Sequence, residues 1–394
     1  MTYPTEALLV SKMGAKPQFA PVVLDAIRDD EVLVEVHATG VCHTDIACIE
    51  GKLPAAYPCV LGHEGAGVVL ETGRTITDIS RGDKVLLSYN FCGSCSQCHA
   101  GHPAYCENML ALNFGGKRLD GTRTMQLASD TATSTEGTND ADKDAIFANF
   151  FGQSSFSRIA LVSRACVSVV APDTPLALFA PLGCGLQTGA GAVLNTLDVR
   201  EGSTVAVFGV GAVGLSAIMA AARLRKARTV IAVDLDVKRL AIATELGATH
   251  TVLAGCKDGE DVLQQIRDIS APANGVAYAV DCSGVPEVVE TMLDALGTRG
   301  RAASVGAPAP GKRAGVDVFG HLTKGKEYVG CHQGSSVSNE MLPYLLEQHR
   351  KGEFPLERII TCYPVEEYQP CRRWQAAAYG PRVEGPDPGQ PHIT

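Results

Sequence analysis

Basic residues are too few in this chain to build a positive face. Lys and Arg number 34 against 43 Asp and Glu, a net charge of −9. That balance argues against nucleic acid or an anionic membrane surface as a partner. A long uncharged apolar run is also missing, so no segment is expected to span a membrane. The start, MTYPTEALLVSKMGAKPQ, lacks the charged-then-apolar pattern of a secretory leader. No internal repeat is present. These absences point to a cytoplasmic protein acting on small molecules.

The chain has 394 residues, enough for two or three domains, and its 45% hydrophobic and 20% charged content suits a globular protein with a good core. Its 14 cysteines are many. In a reducing compartment they are not expected to form a disulfide framework, so metal binding leads for the clustered ones. Cys166 and Cys282, in apolar or strand-like stretches, read as small buried hydrophobes.

The first third is β-rich in pattern. EVLVEVHATG alternates apolar and polar residues, while GHEGAGVVLETG and GDKVLLSYN are short β-branched runs bounded by Gly or Asp. Frequent Gly and Pro suggest a small β-barrel. From about residue 203 the pattern becomes strand, glycine turn, helix, strand, and the alternation continues through KRLAIATELGA, GVAYAVDCSG, VPEVVETMLDALG and GRAASVGA. This predicts a doubly wound α/β domain. SNEMLPYLLEQHRKG predicts a helix, and the small, polar, acidic stretch from about 128 to 144 a long surface loop.

Gly209-Val-Gly211-Ala-Val-Gly214 follows a strand and opens a helix. The first glycine permits a tight turn, the second lets a pyrophosphate approach the backbone, and the third lets helix and strand pack closely. The helix N-terminus offers free N–H groups to the phosphates. Asp234, at the end of the next strand, can accept both ribose hydroxyls of NAD and would repel the 2′-phosphate of NADP. Arg239 is a candidate at the adenosine ribose, and Arg225 and Lys226 are further basic candidates nearby.

Cys92, Cys95, Cys98 and Cys106 form a C-x2-C-x2-C-x7-C cluster. Four thiolates bind zinc tetrahedrally and leave no open position, so the expected site is structural and closed. His99 and His102 inside the loop then have no coordination role. A second set is scattered: Cys42 in GVCHTD, His63 in LGHEGAG and Cys184 in PLGCGLQTG. Singly, each reads as a buried cysteine or a structural histidine. Together, two cysteines and a histidine are a zinc set that leaves a fourth position open. Glu64 could face or exchange onto that metal, and Asp45 could orient His63 through its other ring nitrogen. Sequence spacing does not bring these segments together.

At this point the chain resembles the zinc-dependent medium-chain alcohol dehydrogenases, over roughly residues 5 to 365. The resemblance rests on GVCHTD, LGHEGAGVV, GDKV, the four-cysteine loop, PLGCGLQTG, VFGVGAVG and LGATH. NFGGKRLDGT, FFGQSSFSRIALV and LGCGLQTGAGAVLN look most like the aryl (benzyl-type) branch. It implies a GroES-like β-rich catalytic domain and a Rossmann coenzyme domain, divided as 1–175 and 176–328, with 329–394 completing the catalytic domain. It implies two zinc ions per chain: a catalytic one on Cys42, His63 and Cys184, with Glu64 nearby, and a structural one on the four-cysteine loop. It implies NAD(H) as the second cofactor and a homodimer or homotetramer. Thr44 would bond the substrate oxygen, Thr188 and Val213 would lie near the nicotinamide, His43 near the pyrophosphate, and Tyr89 in the substrate-pocket wall.

The reaction implied is interconversion of a primary alcohol, aromatic or allylic, with its aldehyde. Zinc can lower the pKa of a bound oxygen to about 7, and Thr44 would take up the proton before hydride leaves for the nicotinamide. Two departures from the family stand out. Many members carry a relay histidine five residues after the first zinc cysteine, where this chain has Ala47. The C-terminal PCRRWQAAAYGPRVEGPDPGQPHIT is proline-rich where the family has a basic apolar strand. The rivals are a glutathione-dependent formaldehyde dehydrogenase, an NADPH-linked aldehyde reductase and, in another class, a non-catalytic zinc-binding interaction protein.

Overall fold

Two patterns of burial, one alternating and one continuous, divide the chain. A computed structural model describes residues 2–128, 145–255, 259–367 and 392–393. The polar stretch and most of the proline-rich tail lie outside the described residues. The chain separates into two compact units, residues 1–184 with 360–394, and residues 185–359.

The first unit is built on antiparallel sheets. Strands β1 (Tyr3–Val10), β2 (Gln18–Leu24), β4 (Cys59–Val60) and β7 (Met125–Leu127) form a four-stranded sheet in the order β4-β1-β2-β7. Strand β3 (Glu31–Thr39) pairs antiparallel with β5 (Gly65–Thr72) on one side and β8 (Ile159–Ser163) on the other, and β6 (Lys84–Leu87) and β9 (Val167–Val170) extend the sheet. Val32, Val34, Val69, Val85 and Val162 meet in its core, as β-branched residues on facing pleats should. Arg118 crosses to this sheet from a loop. It is 8% exposed and donates to both carboxylate oxygens of Glu31, at 2.6 and 3.0 Å.

The second unit carries the apolar strands expected from about residue 203. β10 (Thr204–Phe208), β11 (Thr229–Asp234), β12 (His250–Leu253), β13 (Val276–Asp281), β14 (Leu296–Ser304) and β15 (Glu327–Gly330) make one parallel sheet in the order β12-β11-β10-β13-β14-β15. In strand order that is 3-2-1-4-5-6, the doubly wound arrangement, with its switch point between β10 and β13. All five residues of β10 are buried because helices cover both faces. The helix expected after the glycine turn is an α-helix at Ala212–Met219 that continues as a π turn over Ala220–Leu224.

Both unit boundaries fall later than the expected ones at 175/176 and 328/329. The helix Gly185–Gly191 belongs with the parallel sheet because it packs on the helix Ala212–Met219. A Cβ on Gly189 would stand 2.0 Å from the Val213 carbonyl oxygen, so only glycine allows this approach. At the other end, β15 completes the sheet. The helix Ser338–Arg350 buries Met341, Leu342, Leu345 and Leu346 and packs on Gly185–Gly191. Residues 329–359 therefore join the second unit rather than the first.

Candidate active site

The turn after β3 ends in Cys42, the N-cap of the helix His43–Ile49. Its backbone N–H donates to Asp45 Oδ2 at 3.0 Å, and its Sγ lies 3.7 Å from Thr44 Oγ1. Asp45 is fully buried. Its Oδ1 accepts the Gly62 N–H at 3.0 Å and lies 3.1 Å from His63 Nδ1. One carboxylate thus ties the first cysteine's turn to the histidine's turn. Cys184 follows the 3-10 turn Ala180–Gly183. Each of Cys42, His63, Glu64 and Cys184 offers a ligand atom, all within 4.8 Å of one another. Glu64 fits because residue 40 is glycine, where a Cβ would stand 1.9 Å from Glu64 Oε2.

This set fits a zinc ion. His63 is 0% exposed, its Nε2 has no hydrogen-bond partner among the described residues, and its other nitrogen is fixed by Asp45. A buried ring nitrogen is not left unmatched without cost, and an ion is the partner the sulfurs also need. The hydrogen bond with Cys184 holds the Cys42 thiol well below its ordinary range, aided by the charge of His63. The same hydrogen bond, with burial, pushes Cys184 well above it. Burial works to lower the His63 imidazole, but the charges of Asp45 and Cys42 outweigh it and raise it. The pocket therefore favours a positive charge beside its sulfurs.

The second cluster is closed. Cys92 Sγ and Cys98 Sγ are 4.0 Å apart, as are Cys95 and Cys106, and all four ligand atoms lie within 4.8 Å of one another. Backbone N–H groups of Cys92 and Glu107 donate to Cys106 and Cys95 sulfurs at 3.4 and 3.5 Å. Burial opposes ionisation of Cys92, but N–H and hydroxyl donation from Ser94 bring its thiol down to about 5. His99 and His102 are exposed, as expected of residues outside the ligand set.

In the second unit, Gly209 has φ +82°, and a Cβ on Gly214 would stand 2.0 Å from the Gly209 carbonyl oxygen. The first glycine makes the turn and the third lets the helix approach it. Gly211 is the N-cap of that helix, and Val213 is half-buried in its first turn. Asp234 ends β11. Its Oδ2 accepts the Val210 N–H at 2.7 Å, its Oδ1 accepts the Asp236 N–H at 2.9 Å, and Arg239 Nη1 stands 3.9 Å away. Arg225 is engaged elsewhere, with Leu194 O at 2.7 Å and Asp198 at 3.1 Å. Thr188 is buried on the helix Gly185–Gly191. His43 belongs to the first unit and is exposed.

Residues 28–134 match the family model of the alcohol dehydrogenase GroES-like domain, and residues 212–348 that of the zinc-binding dehydrogenases. The geraniol dehydrogenase of Castellaniella defragrans is 36% identical over 363 residues, 92% of each chain. This chain belongs to the zinc-dependent medium-chain alcohol dehydrogenases. The alcohol dehydrogenase zinc-binding domain protein of Burkholderia ambifaria has a similar structure, with TM-score 0.86 and 43% identity over 96% of each chain. So has the benzyl alcohol dehydrogenase of Acinetobacter calcoaceticus, with TM-score 0.84 and 36% identity over 95% of each chain. The protein is thus an alcohol oxidoreductase and not a non-catalytic zinc-binding module.

In this alcohol dehydrogenase the aromatic residue expected in the pocket wall and those beside His63 are different ones. Tyr89 is 1% exposed and sits in the hydrophobic core of the first unit, with the Phe91 ring centroid 6.0 Å away. The residues that do face His63 are Phe151, stacked on it at 4.5 Å, and Phe150, edge-on at 5.4 Å. Phe151 and Ser154 hold φ of 51° and 46°, a left-handed conformation costing on the order of 1 kcal/mol or more at a non-glycine residue. FFGQSSF carried a resemblance in the sequence. What could have signalled its role was a glutamine and two serines in an otherwise apolar stretch.

Proposed function

We propose that this enzyme interconverts an aromatic or allylic primary alcohol and its aldehyde, with NAD(H) as the hydride carrier. The observation that carries the reading is the set of half-buried Cys42 with buried His63 and Cys184, whose His63 Nε2 is unmatched among the described residues. The relatives named for geraniol and benzyl alcohol support the alcohol class. Asp234 supports NAD, because a carboxylate at the end of β11 accepts ribose hydroxyls and repels a 2′-phosphate. The S-(hydroxymethyl)glutathione dehydrogenase of Synechocystis, 31% identical over 360 residues, represents the rival branch.

Cys42, His63 and Cys184 would hold a zinc ion, which when bound would supply Lewis-acid polarisation of the substrate oxygen. Asp45 keeps His63 in the tautomer that presents Nε2, since Nδ1 must carry the proton shared with Oδ1. Thr44, within reach of the Cys42 sulfur, is the hydroxyl that takes the alcohol proton. Ala47 is 5% exposed and has no titratable group, so the proton leaves through Thr44 and solvent rather than a histidine at that position. Gly209, Gly211 and Gly214 bring backbone N–H groups to the cofactor pyrophosphate, with Thr188, Val213, His43 and Arg239 as further cofactor contacts.

We also read the protein as a cytoplasmic homo-oligomer. None of the described cysteines forms a disulfide, and no single described helix is long and apolar enough to cross a membrane. The helix Val318–Lys324 leaves Val318, Phe319 and Leu322 about three-quarters exposed, beside β14, whose neighbour β15 is the edge of its sheet. Sedimentation of the wild type against Phe319→Asp tests this, and a monomeric wild type refutes it.

The activity is tested with benzylic, allylic and aliphatic alcohols, each with NAD and NADP, with and without glutathione. Benzylic or allylic alcohols should give the highest kcat/KM, with NAD and without glutathione. A preference for NADP, or a requirement for glutathione, overturns the reading in favour of the corresponding rival. Cys184→Ser should abolish turnover, retain the fold and leave one zinc per chain. Normal activity in that variant contradicts the metal assignment.

A further inference from the structure

The segment from Phe150 to Phe156 grips the histidine turn at successive backbone positions. Ser154 Oγ donates to Val60 O at 2.7 Å, Phe156 N–H to Leu61 O at 3.1 Å and Ser155 N–H to Gly62 O at 3.0 Å. Gln153 completes the series from a position 1% exposed. Its Nε2 donates to the carbonyl oxygens of His63 at 3.0 Å and Ser88 at 2.9 Å, and its Oε1 accepts the Gly65 N–H at 3.0 Å. All of the amide's hydrogen-bonding directions but one are thus spent on the backbone of His63 and Gly65, either side of Glu64, and of Ser88, just after β6.

The chain of contacts continues to the other ligands. Ser88 Oγ donates to Gly183 O at 2.6 Å, one residue before Cys184. Ser155 Oγ lies 2.8 Å from Thr39 Oγ1, at the end of the strand that delivers Cys42. The ring of His63 is meanwhile clamped by the face of Phe151 and the edge of Phe150. Asp45 fixes the imidazole from its Nδ1 side, and its carboxylate accepts from the Cys42 and Gly62 N–H groups.

We propose that Gln153 is the positioning residue of the zinc centre, coupling the turns of His63 and Cys184 through His63 O, Ser88 O and Ser88 Oγ so that the ligand atoms are held at zinc-binding separation. It does not touch metal or substrate. It acts on the backbone of one ligand directly and of another through Ser88. This rests on the reading of Cys42, His63 and Cys184 as the zinc ligands. The fully buried setting makes the amide hard to replace, because each lost donor leaves a carbonyl unpaired away from water.

Gln153→Glu is the discriminating variant. It keeps an acceptor for Gly65 and turns the donor that faced His63 O and Ser88 O into an oxygen. The measurement is zinc release from the purified full-length enzyme, followed with a chromogenic chelator that resolves the two ions by rate, together with the visible spectrum of the cobalt-substituted protein. Cys184→Ser identifies which release phase belongs to the Cys42, His63 and Cys184 site, so failure of the metal assignment shows up separately as unchanged phases in that control. Gln153→Glu should release that zinc between about ten- and a hundredfold faster, with the four-cysteine phase unchanged and an altered cobalt spectrum. It should also lower kcat more than it raises KM. Ser88→Ala, a smaller change that keeps the fold, should accelerate the same phase alone. Wild-type release and spectra in both variants overturn the proposal, and so does equal acceleration of both zinc phases, which marks general loosening.

Discussion

Asp45 Oδ1 lies 3.1 Å from His63 Nδ1, and both side chains are fully buried. The same oxygen accepts the Gly62 N–H, and the other carboxylate oxygen accepts the Cys42 N–H. Asp45→Asn keeps the shape and removes the charge. It should weaken zinc binding at this site by about ten- to a hundredfold and lower kcat/KM by a similar factor. Equilibrium competition with a chelator checks the first, and steady-state kinetics at saturating zinc the second. Undiminished affinity would show that Asp45 only fills space.

Cys95→Ser acts on the closed site. Four sulfurs brace the loop from Cys92 to Cys106, so losing one should release the structural zinc and lower Tm by several degrees, on the scale of a few kcal/mol for a lost metal site. Turnover of the remaining folded enzyme should persist at low temperature. A variant with unchanged melting and full zinc content contradicts a bracing role.

Asp234→Ala has two consequences, because one carboxylate serves two purposes. Removing the charge should narrow the preference for NAD over NADP. Removing Oδ2 also frees the Val210 N–H in the glycine turn, so KM for NAD itself should rise. An unchanged NAD to NADP ratio of kcat/KM assigns the discrimination to another residue.

Asp281, at the end of β13 beside the switch point, is 0% exposed, and burial pushes its carboxyl above the usual carboxylate range despite donation from Ser283 and Gly284. A carboxyl whose folded pKa is raised contributes its full stability below the unfolded pKa and loses it as pH rises through the folded value. Asp281→Asn keeps an acceptor for Ser283 and removes the titration. The Tm of the variant should therefore gain on that of wild type as the pH rises above the ordinary carboxylate range of about 4. A difference that stays constant as the pH rises above about 4 contradicts a raised Asp281 carboxyl.

Local patterns carried far in this chain. The glycine turn, the apolar β10, the acidic end of β11 and the closed cysteine cluster are each written within some twenty-five residues or fewer, and period and spacing suffice to read them. The proposed zinc ligands are different in kind. Cys42, His63 and Cys184 are far apart in sequence, and residue types alone made each an ordinary buried side chain. Only family resemblance joined them before the structure did. Tyr89 shows the opposite limit, because a large aromatic residue suits a pocket wall and a packed core equally well, and its neighbours decide.

The sequence by itself determined the two element textures, the glycine turn ahead of its helix and the compact four-cysteine cluster, because hydrophobic period, glycine conformation and cysteine spacing are local properties. The tertiary structure decided where the units divide, since the helices Gly185–Gly191 and Ser338–Arg350 go to whichever apolar surface they bury against. It also decided what surrounds His63. Asp45, Phe151 and Gln153 lie 18 residues before it and some 90 residues after it, and they meet it through hydrogen bonds and ring contacts that no short-range pattern encodes.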